Sequence, residues 1–151
     1  MAPQDKRKYE QWMRRCIKLA KIAKRRGDSP VGCIIVQNGK IVSEGIEGGK
    51  THNDITYHAE IVAIRNAVDV LSETDLSDCI LVTSHEPCIM CSYVIRHHKI
   101  KTVIAGMNTG EIGGYSSSCP VLIDDSIERW ASPPQIVDGG VLEEECRRLN
   151  D

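Results

Sequence analysis

Along residues 5–26, apolar side chains return every three to four positions, placing Trp12, Cys16, Leu19, Ala20 and Ala23 on one stripe. That period predicts an amphipathic helix, and Gly27-Asp28-Ser29-Pro30 ends it. The pattern then tightens into two short strand-like runs, 31–37 and 40–46, separated by Asn38-Gly39, a strong hairpin signal. A Gly-rich loop over 47–53 leads to a second helix over 57–71, with Ile61, Ile64, Val68 and Leu71 facing inward. Residues 79–83 read as a buried strand. Pro87 suits the first turn of a helix running to 98, because its missing N–H would be unpaired there. A strand over 101–106 follows, then an irregular stretch over 107–134, rich in Gly, Ser and Pro. Loops of that length usually carry function or disorder. Residues 135–138 form a short fifth strand and 141–149 a last helix. Strands alternating with helices predict a three-layer α/β/α sandwich around a five-stranded mixed sheet. The strands joined by helical crossovers are expected to run parallel. No repeat or linker divides the chain, so residues 1–151 read as one domain.

The composition fits this picture. With 41% hydrophobic and 26% charged residues, an ordinary core can be buried. No apolar run approaches the ~20 residues that span a bilayer, so no membrane partner is expected. The N-terminus lacks the apolar stretch of a secretory signal, which points to the cytoplasm. Net charge is −2, but its distribution is uneven: residues 1–26 carry ten of the 19 Lys and Arg against two acids, and residues 107–151 carry three Arg against nine acids. The basic first helix is either a phosphate-tracking face or a solvated surface, and the second reading is favoured. Seven cysteines in a reducing compartment favour free thiols and metal ligands over disulfides. Cys16, Cys33, Cys79 and Cys146 lie in apolar stretches and read as core residues, whereas Cys119 sits in a loop.

Cys88 and Cys91 are three apart, so on a helical first turn their sulfurs face the same way. His58-Ala59-Glu60 opens the preceding helix. If the two helix N-termini converge, their dipoles favour thiolates, and two sulfurs with one imidazole suit zinc. Three protein ligands leave a fourth position for water, whose acidity zinc raises into the neutral range. Glu60, two residues past His58, can then move protons without binding the metal. H-x-E followed by P-C-x-x-C, both at helix starts, is the signature of zinc-dependent deaminases. The competing reading is a four-ligand structural zinc site completed by His85, Cys79 or Cys119. A redox C-x-x-C would leave His58 and Glu60 without a role.

At these residues the chain resembles the cytidine deaminase superfamily, and within it the branch of cytosine deaminases, guanine deaminases and tRNA adenosine deaminases. The likeness covers nearly the whole chain. Asn53-Asp54-Ile55-Thr56-Tyr57-His58-Ala59-Glu60 and Thr83-Ser84-His85-Glu86-Pro87-Cys88-Ile89-Met90-Cys91 are similar to the motifs of bacterial guanine deaminases. The tail Gly139-Gly140-Val141-Leu142-Glu143-Glu144-Glu145-Cys146 is similar to that of tRNA adenosine deaminases. The resemblance implies a homo-oligomer, often a dimer. It also implies that the amides of Ala59 and Cys88 hold a substrate carbonyl and the oxygen at the metal, and that the Glu86 carbonyl receives the exocyclic amine.

Two positions depart from those relatives. Glu47 stands where an Asn normally reads the ring edge. An ionised carboxylate only accepts hydrogen bonds, so a pocket built on Glu47 favours rings that offer N–H donors. Alternatively, Asn53 or His52 takes over, or Glu47 points to solvent. His85 replaces a Cys or Leu and either lines the pocket or is a satisfied buried histidine. Tyr115 is the first candidate to stack on a bound ring, with Trp130 second. The leading function is hydrolytic deamination of a small purine, pyrimidine or related N-heterocycle. A tRNA adenosine-to-inosine deaminase is the alternative, and a catalytically silent zinc domain the third reading.

Overall fold

The computed structural model describes residues 1–151. The elements, in chain order, are α1 (Pro3–Arg25), β1 (Gly32–Gln37), β2 (Lys40–Ile46), α2 (Ala59–Leu71), β3 (Cys79–His85), α3 (Ile89–His97), β4 (Thr102–Met107), β5 (Gln135–Asp138) and α4 (Glu143–Arg148). Asn38 and Gly39 join β1 to β2 with φ of 52° and 76°, the two left-handed residues a type I′ turn demands. Gln37 pairs with Lys40 beside that turn.

The sheet order is β2-β1-β3-β4-β5. β3, β4 and β5 run parallel, as the crossovers require. β1 is antiparallel to both of its neighbours. β2 and β3, which α2 connects, therefore share a direction without touching, because the hairpin partner β1 lies between them. The consequence for function is direct. β2 and β3 both end at the same edge of the sheet, so the chain enters α2 and α3 on the same side of the molecule.

Alternation along the strands splits the core in two. Ile34, Val36, Val82 and Ile104 face one way and meet Trp12, Met13, Cys16, Leu19 and Ala20 of α1 and Cys146 of α4. Cys33, Ile35, Leu81 and Val103 face the other way and meet Ala59, Ala63, Ile64 and Ala67 of α2 and Ile95 of α3. This is the predicted α/β/α sandwich, with period-2 strands between period-3.6 helices. Val68 and Leu71 are only partly buried, and the small residues Ala59, Ala63 and Ala67 form the real contact face of α2. They are small because α2 lies against β2: a Cβ on Gly45 would sit 2.1 Å from the Ala59 carbonyl oxygen.

Residues 108–134, without helix or strand, are anchored by two buried charges. The Arg96 guanidinium donates to the carbonyls of Val121 at 3.0 Å, Asp124 at 2.6 Å and Ala131 at 2.8 Å, and its plane lies on Trp130, 4.9 Å from the ring centre. The Glu86 carboxylate accepts from the amides of Thr109 at 2.9 Å, Tyr115 at 2.9 Å and Ser116 at 2.8 Å, and from the Ser116 hydroxyl. Gly113 makes room for it, since a Cβ there would fall 2.4 Å from a Glu86 carboxylate oxygen.

Burial opposes the charge on Glu86, but hydrogen bonds from Ser116, Thr109 and Tyr115 outweigh it and hold the carboxyl below its ordinary value. A depressed folded-state value means full stabilisation above the unfolded pKa of ~4.3 and loss as pH falls through the folded one. Glu86→Ala should cost about 3 kcal/mol, because buried loop amides lose their acceptor. Hydrogen exchange should show Thr109, Tyr115 and Ser116 opening first. Glu86→Gln should flatten the acid side of a urea-stability profile; an unchanged slope would mean the carboxylate is not what anchors the loop.

Candidate active site

His58 and Cys88 are both N-cap residues, with extended backbones (ψ of 150° and 178°) just before α2 and α3 turn helical. Cys88 thus lies outside the first turn in which Pro87 and Cys88 were expected, and α3 starts at Ile89. The spacing still works, because Cys91 lies one turn on and donates its amide to the Cys88 sulfur. The first amides of both helices lack intrahelical acceptors; that of Ile89 donates instead to the Ile112 carbonyl at 3.0 Å.

The Nδ1 atom of His58 lies 3.5 Å from the Cys88 sulfur and 3.4 Å from the Cys91 sulfur. All three donor atoms lie within 4.8 Å of one another, and no other His, Cys, Asp or Glu belongs to the group. A tetrahedral zinc with bonds of ~2.3 Å to sulfur and ~2.0 Å to nitrogen puts N and S ~3.5 Å apart. The donor set and its spacing fit the ion. Of the residues considered for a fourth ligand, Cys79 begins β3 at its far end and Cys119 is exposed in the loop.

The electrostatics suit a cation. Cys88 is pulled down to about 4, first by the Cys91 thiol and then by His58. His58 is pushed up to about 9, chiefly by its hydrogen bond with Cys88. Cys91 is pushed up as the partner that keeps its proton beside Cys88. A metal entering this group displaces those protons.

Glu60 is buried beside this group. Its Oε1 accepts from the Thr83 hydroxyl at 2.7 Å, and its Oε2 lies 3.3 Å from the Cys91 sulfur. Burial raises its pKa, against the pull of Thr83. A cavity of about 320 Å³ opens onto it, lined by residues that include Val31, Glu47, His58, His85, Glu86, Cys88, Ile112 and Asn150. That volume is at the small end for ligand pockets and matches one heterocycle.

Glu47 faces this cavity rather than solvent. It is 9% exposed, one carboxylate oxygen accepts from the Gly49 amide at 3.0 Å, and burial raises its pKa. His85 also lines the cavity, with its Nδ1 2.6 Å from the Thr109 hydroxyl. The Glu86 carbonyl accepts that hydroxyl at 2.8 Å. Ala59 is the fully buried first residue of α2 and is not among the residues that line the cavity.

Two expected contacts are elsewhere. Asn53 is exposed on a left-handed turn (φ 50°) and does not line the cavity. The loop turns at Asn53, and Asp28 holds that turn by accepting from the amides of Lys50 and Thr51 at 2.9 Å each. Tyr115 packs its ring against the α2/α3 side of the core and gives its hydroxyl to Asn108 at 3.2 Å. The Glu86 carboxylate accepts from the Tyr115 amide, and Tyr115 is not among the residues that line the cavity. Trp130 lies on Arg96 instead of in the cavity. Ile112 and Val31, with Pro30, supply the apolar surface. Thr83, Thr109, Asp28 and Asn150 escaped the sequence reading, since nothing local separates a positioning hydroxyl or amide from a loop or strand residue.

The family model for the cytidine and deoxycytidylate deaminase zinc-binding region matches residues 6–107. The tRNA-specific adenosine deaminase of Rickettsia bellii is 36% identical over 108 residues, covering 70% of this chain and 74% of that protein. The guanine deaminase of Bacillus subtilis is 43% identical over 96 residues, covering 63% and 62%. A structure solved in work on A-to-I editing by tRNA:A34 deaminases superposes with a TM-score of 0.84 at 26% identity, covering 92% of this chain and 98% of that one. Fold and site together define a zinc-dependent hydrolytic deaminase. The chain belongs to the cytidine and deoxycytidylate deaminase family.

Removing any one of His58, Cys88 or Cys91 by alanine should weaken zinc binding by more than ~100-fold, beyond what loss of an outer partner costs. Glu60→Ala should keep one zinc per chain. Metal analysis after dialysis reads both, and full zinc in Cys91→Ala would remove that residue from the ligand set.

Proposed function

We propose that this deaminase acts on a free amino-substituted N-heterocycle presenting ring N–H donors, within a single domain spanning residues 1–151. The observation that carries the reading is the wall of the cavity, where Glu47 and His85 stand near the buried Glu60 in a space of about 320 Å³. In this reading His58, Cys88 and Cys91 hold the metal. When bound, zinc supplies the Lewis acidity that makes water a nucleophile at neutral pH. Glu60 would take a proton from the attacking water and deliver it to the ring nitrogen beside the amine-bearing carbon as the C–O bond forms there. It would then take the remaining hydroxyl proton and pass it to the amine as the C–N bond breaks, so that the carbonyl forms and ammonia leaves. Burial raises the Glu60 pKa, which suits a group that must hold the proton between these transfers. The Ala59 and Cys88 amides lie at helix starts, where developing negative charge on oxygen is stabilised. Seven free thiols suit a reducing compartment, the cytoplasm.

A tRNA adenosine substrate is the second reading, favoured by a groove of about 450 Å³ between α1 and α4. Arg14, Lys18, Lys21, Lys24 and Arg148 surround it. Asn150, two residues past Arg148, lines the catalytic cavity. The relative from Rickettsia bellii carries that activity in its name. Against it, adenine's ring nitrogens are acceptors and face acceptors on Glu47 and His85. Ammonia release from purine and pyrimidine bases, pterins, triazines, nucleosides and tRNA separates the two. Turnover of free bases, lost by ~10³-fold or more in zinc-replete Glu60→Ala, supports the first. Turnover of tRNA alone, falling steeply with salt, would replace it with the second. No ammonia from any substrate would sink both.

A second copy of the chain is the proposed partner, docked on the groove between α2 and α3. Ile61, Ile64, Val68 and Val94 line it beside Arg65 and Asp69, a mixed-charge pair suited to a self-complementary contact. Val70 and Tyr93 of the same two helices stay 65% and 48% exposed. Sedimentation equilibrium should give a dimer that Val68→Glu dissociates; a monomer at micromolar wild-type protein would refute it.

A further inference from the structure

His85 lines the catalytic cavity, and its role there rests on the free-heterocycle reading above. Its Nδ1 lies 2.6 Å from the Thr109 hydroxyl, and the same hydroxyl lies 2.8 Å from the Glu86 carbonyl oxygen. A carbonyl can only accept, so Thr109 spends its single proton there. The Thr109 oxygen must then accept from His85, which places the imidazole proton on Nδ1. Burial disfavours the charged ring, so the partner nitrogen Nε2 carries a bare lone pair. That Nε2 makes no hydrogen bond within the chain, is not among the buried unsatisfied atoms, and belongs to a side chain lining the catalytic cavity. Glu47 repeats the theme, since the Gly49 amide occupies only one of its carboxylate oxygens.

We propose that the Glu86 carbonyl, Thr109 and His85 form a relay that fixes His85 as a hydrogen-bond acceptor, and that His85 Nε2 and Glu47 together select heterocycles bearing N–H groups at two ring positions. Lactam rings with free ring N–H groups satisfy both acceptors. Rings with a lone pair or an N-methyl group at either position leave a buried acceptor facing an acceptor or a methyl, which a polar pocket rejects strongly. Thr109 is the positioning residue: it never reaches the ring but decides what His85 presents. Its backbone amide is held independently by the Glu86 carboxylate at 2.9 Å, so removing the hydroxyl leaves the loop anchored.

Long-range ¹H–¹⁵N spectra of the zinc-loaded protein, with His85 assigned by comparison with His85→Gln, should show the Nδ1–H tautomer at neutral pH. Thr109→Val should release it toward Nε2–H, and Thr109→Ser should restore it. Calorimetry with xanthine, hypoxanthine and uracil against their N-methyl derivatives should show preference for the N–H forms in the wild type, reduced about tenfold or more in Thr109→Val and regained in Thr109→Ser. An Nε2–H tautomer in the wild type overturns the relay. The expected tautomer with no N–H preference, or with a preference Thr109→Val leaves intact, overturns the selection. Both readouts are independent of turnover, so an inactive protein would count against the deamination substrate without deciding this question.

Discussion

Two helices begin at one point, and the chemistry depends on that meeting. His58 and Cys88 are extended caps whose next residues turn helical, so each brings a donor atom to the same small volume. The Cys91 thiol and then His58 hydrogen-bond to the Cys88 sulfur there, which explains why Cys88 sits so low among otherwise raised thiols. The sheet makes the meeting possible. β1 runs opposite to its neighbours, letting β2 and β3 end at the same edge although they do not touch. Gly45 then lets α2 settle against β2 closely enough to bring His58 within 3.5 Å of both sulfurs.

Around that centre the protein uses buried charge as fastening. Glu86, next to the ligand-bearing turn, gathers the amides of Thr109, Tyr115 and Ser116. Arg96, near the other end of α3, gathers carbonyls from residues 121–131. A loop without regular structure must satisfy its backbone groups somehow, and here one carboxylate and one guanidinium satisfy many of them. Both charges lie on the segment that carries Cys88 and Cys91, so the same backbone that holds these candidate metal donors also holds the wall of the cavity.

That wall is mixed: Glu47, His85, Ser29, Thr109 and Asn150 bring polar groups, and Ile112, Val31 and Pro30 bring apolar surface. Tyr115 packs against the core and Trp130 against Arg96, and neither lines the cavity.

Much of this was legible in the residues. Periodicity placed every helix and strand, because burial on a sheet face or a helix stripe leaves a repeat of two or 3.6. The pair His58-Ala59-Glu60 and Cys88/Cys91 announced the metal chemistry, because ligand type and spacing are local properties. Glu47 and His85 stood out as departures from a resemblance, but their direction did not, and Tyr115 and Asn53 pointed the wrong way. Side-chain direction in a loop is set by partners distant in sequence: Glu86 for the 109–116 segment, Asp28 for the 50–51 turn, Thr109 for His85. The sequence by itself thus determined the layers, the candidate donor set and the reaction class. Only the tertiary structure decided which strand lies between β2 and β3, which loop residues line the cavity and which His85 nitrogen meets Thr109, because these depend on contacts made after the chain has folded.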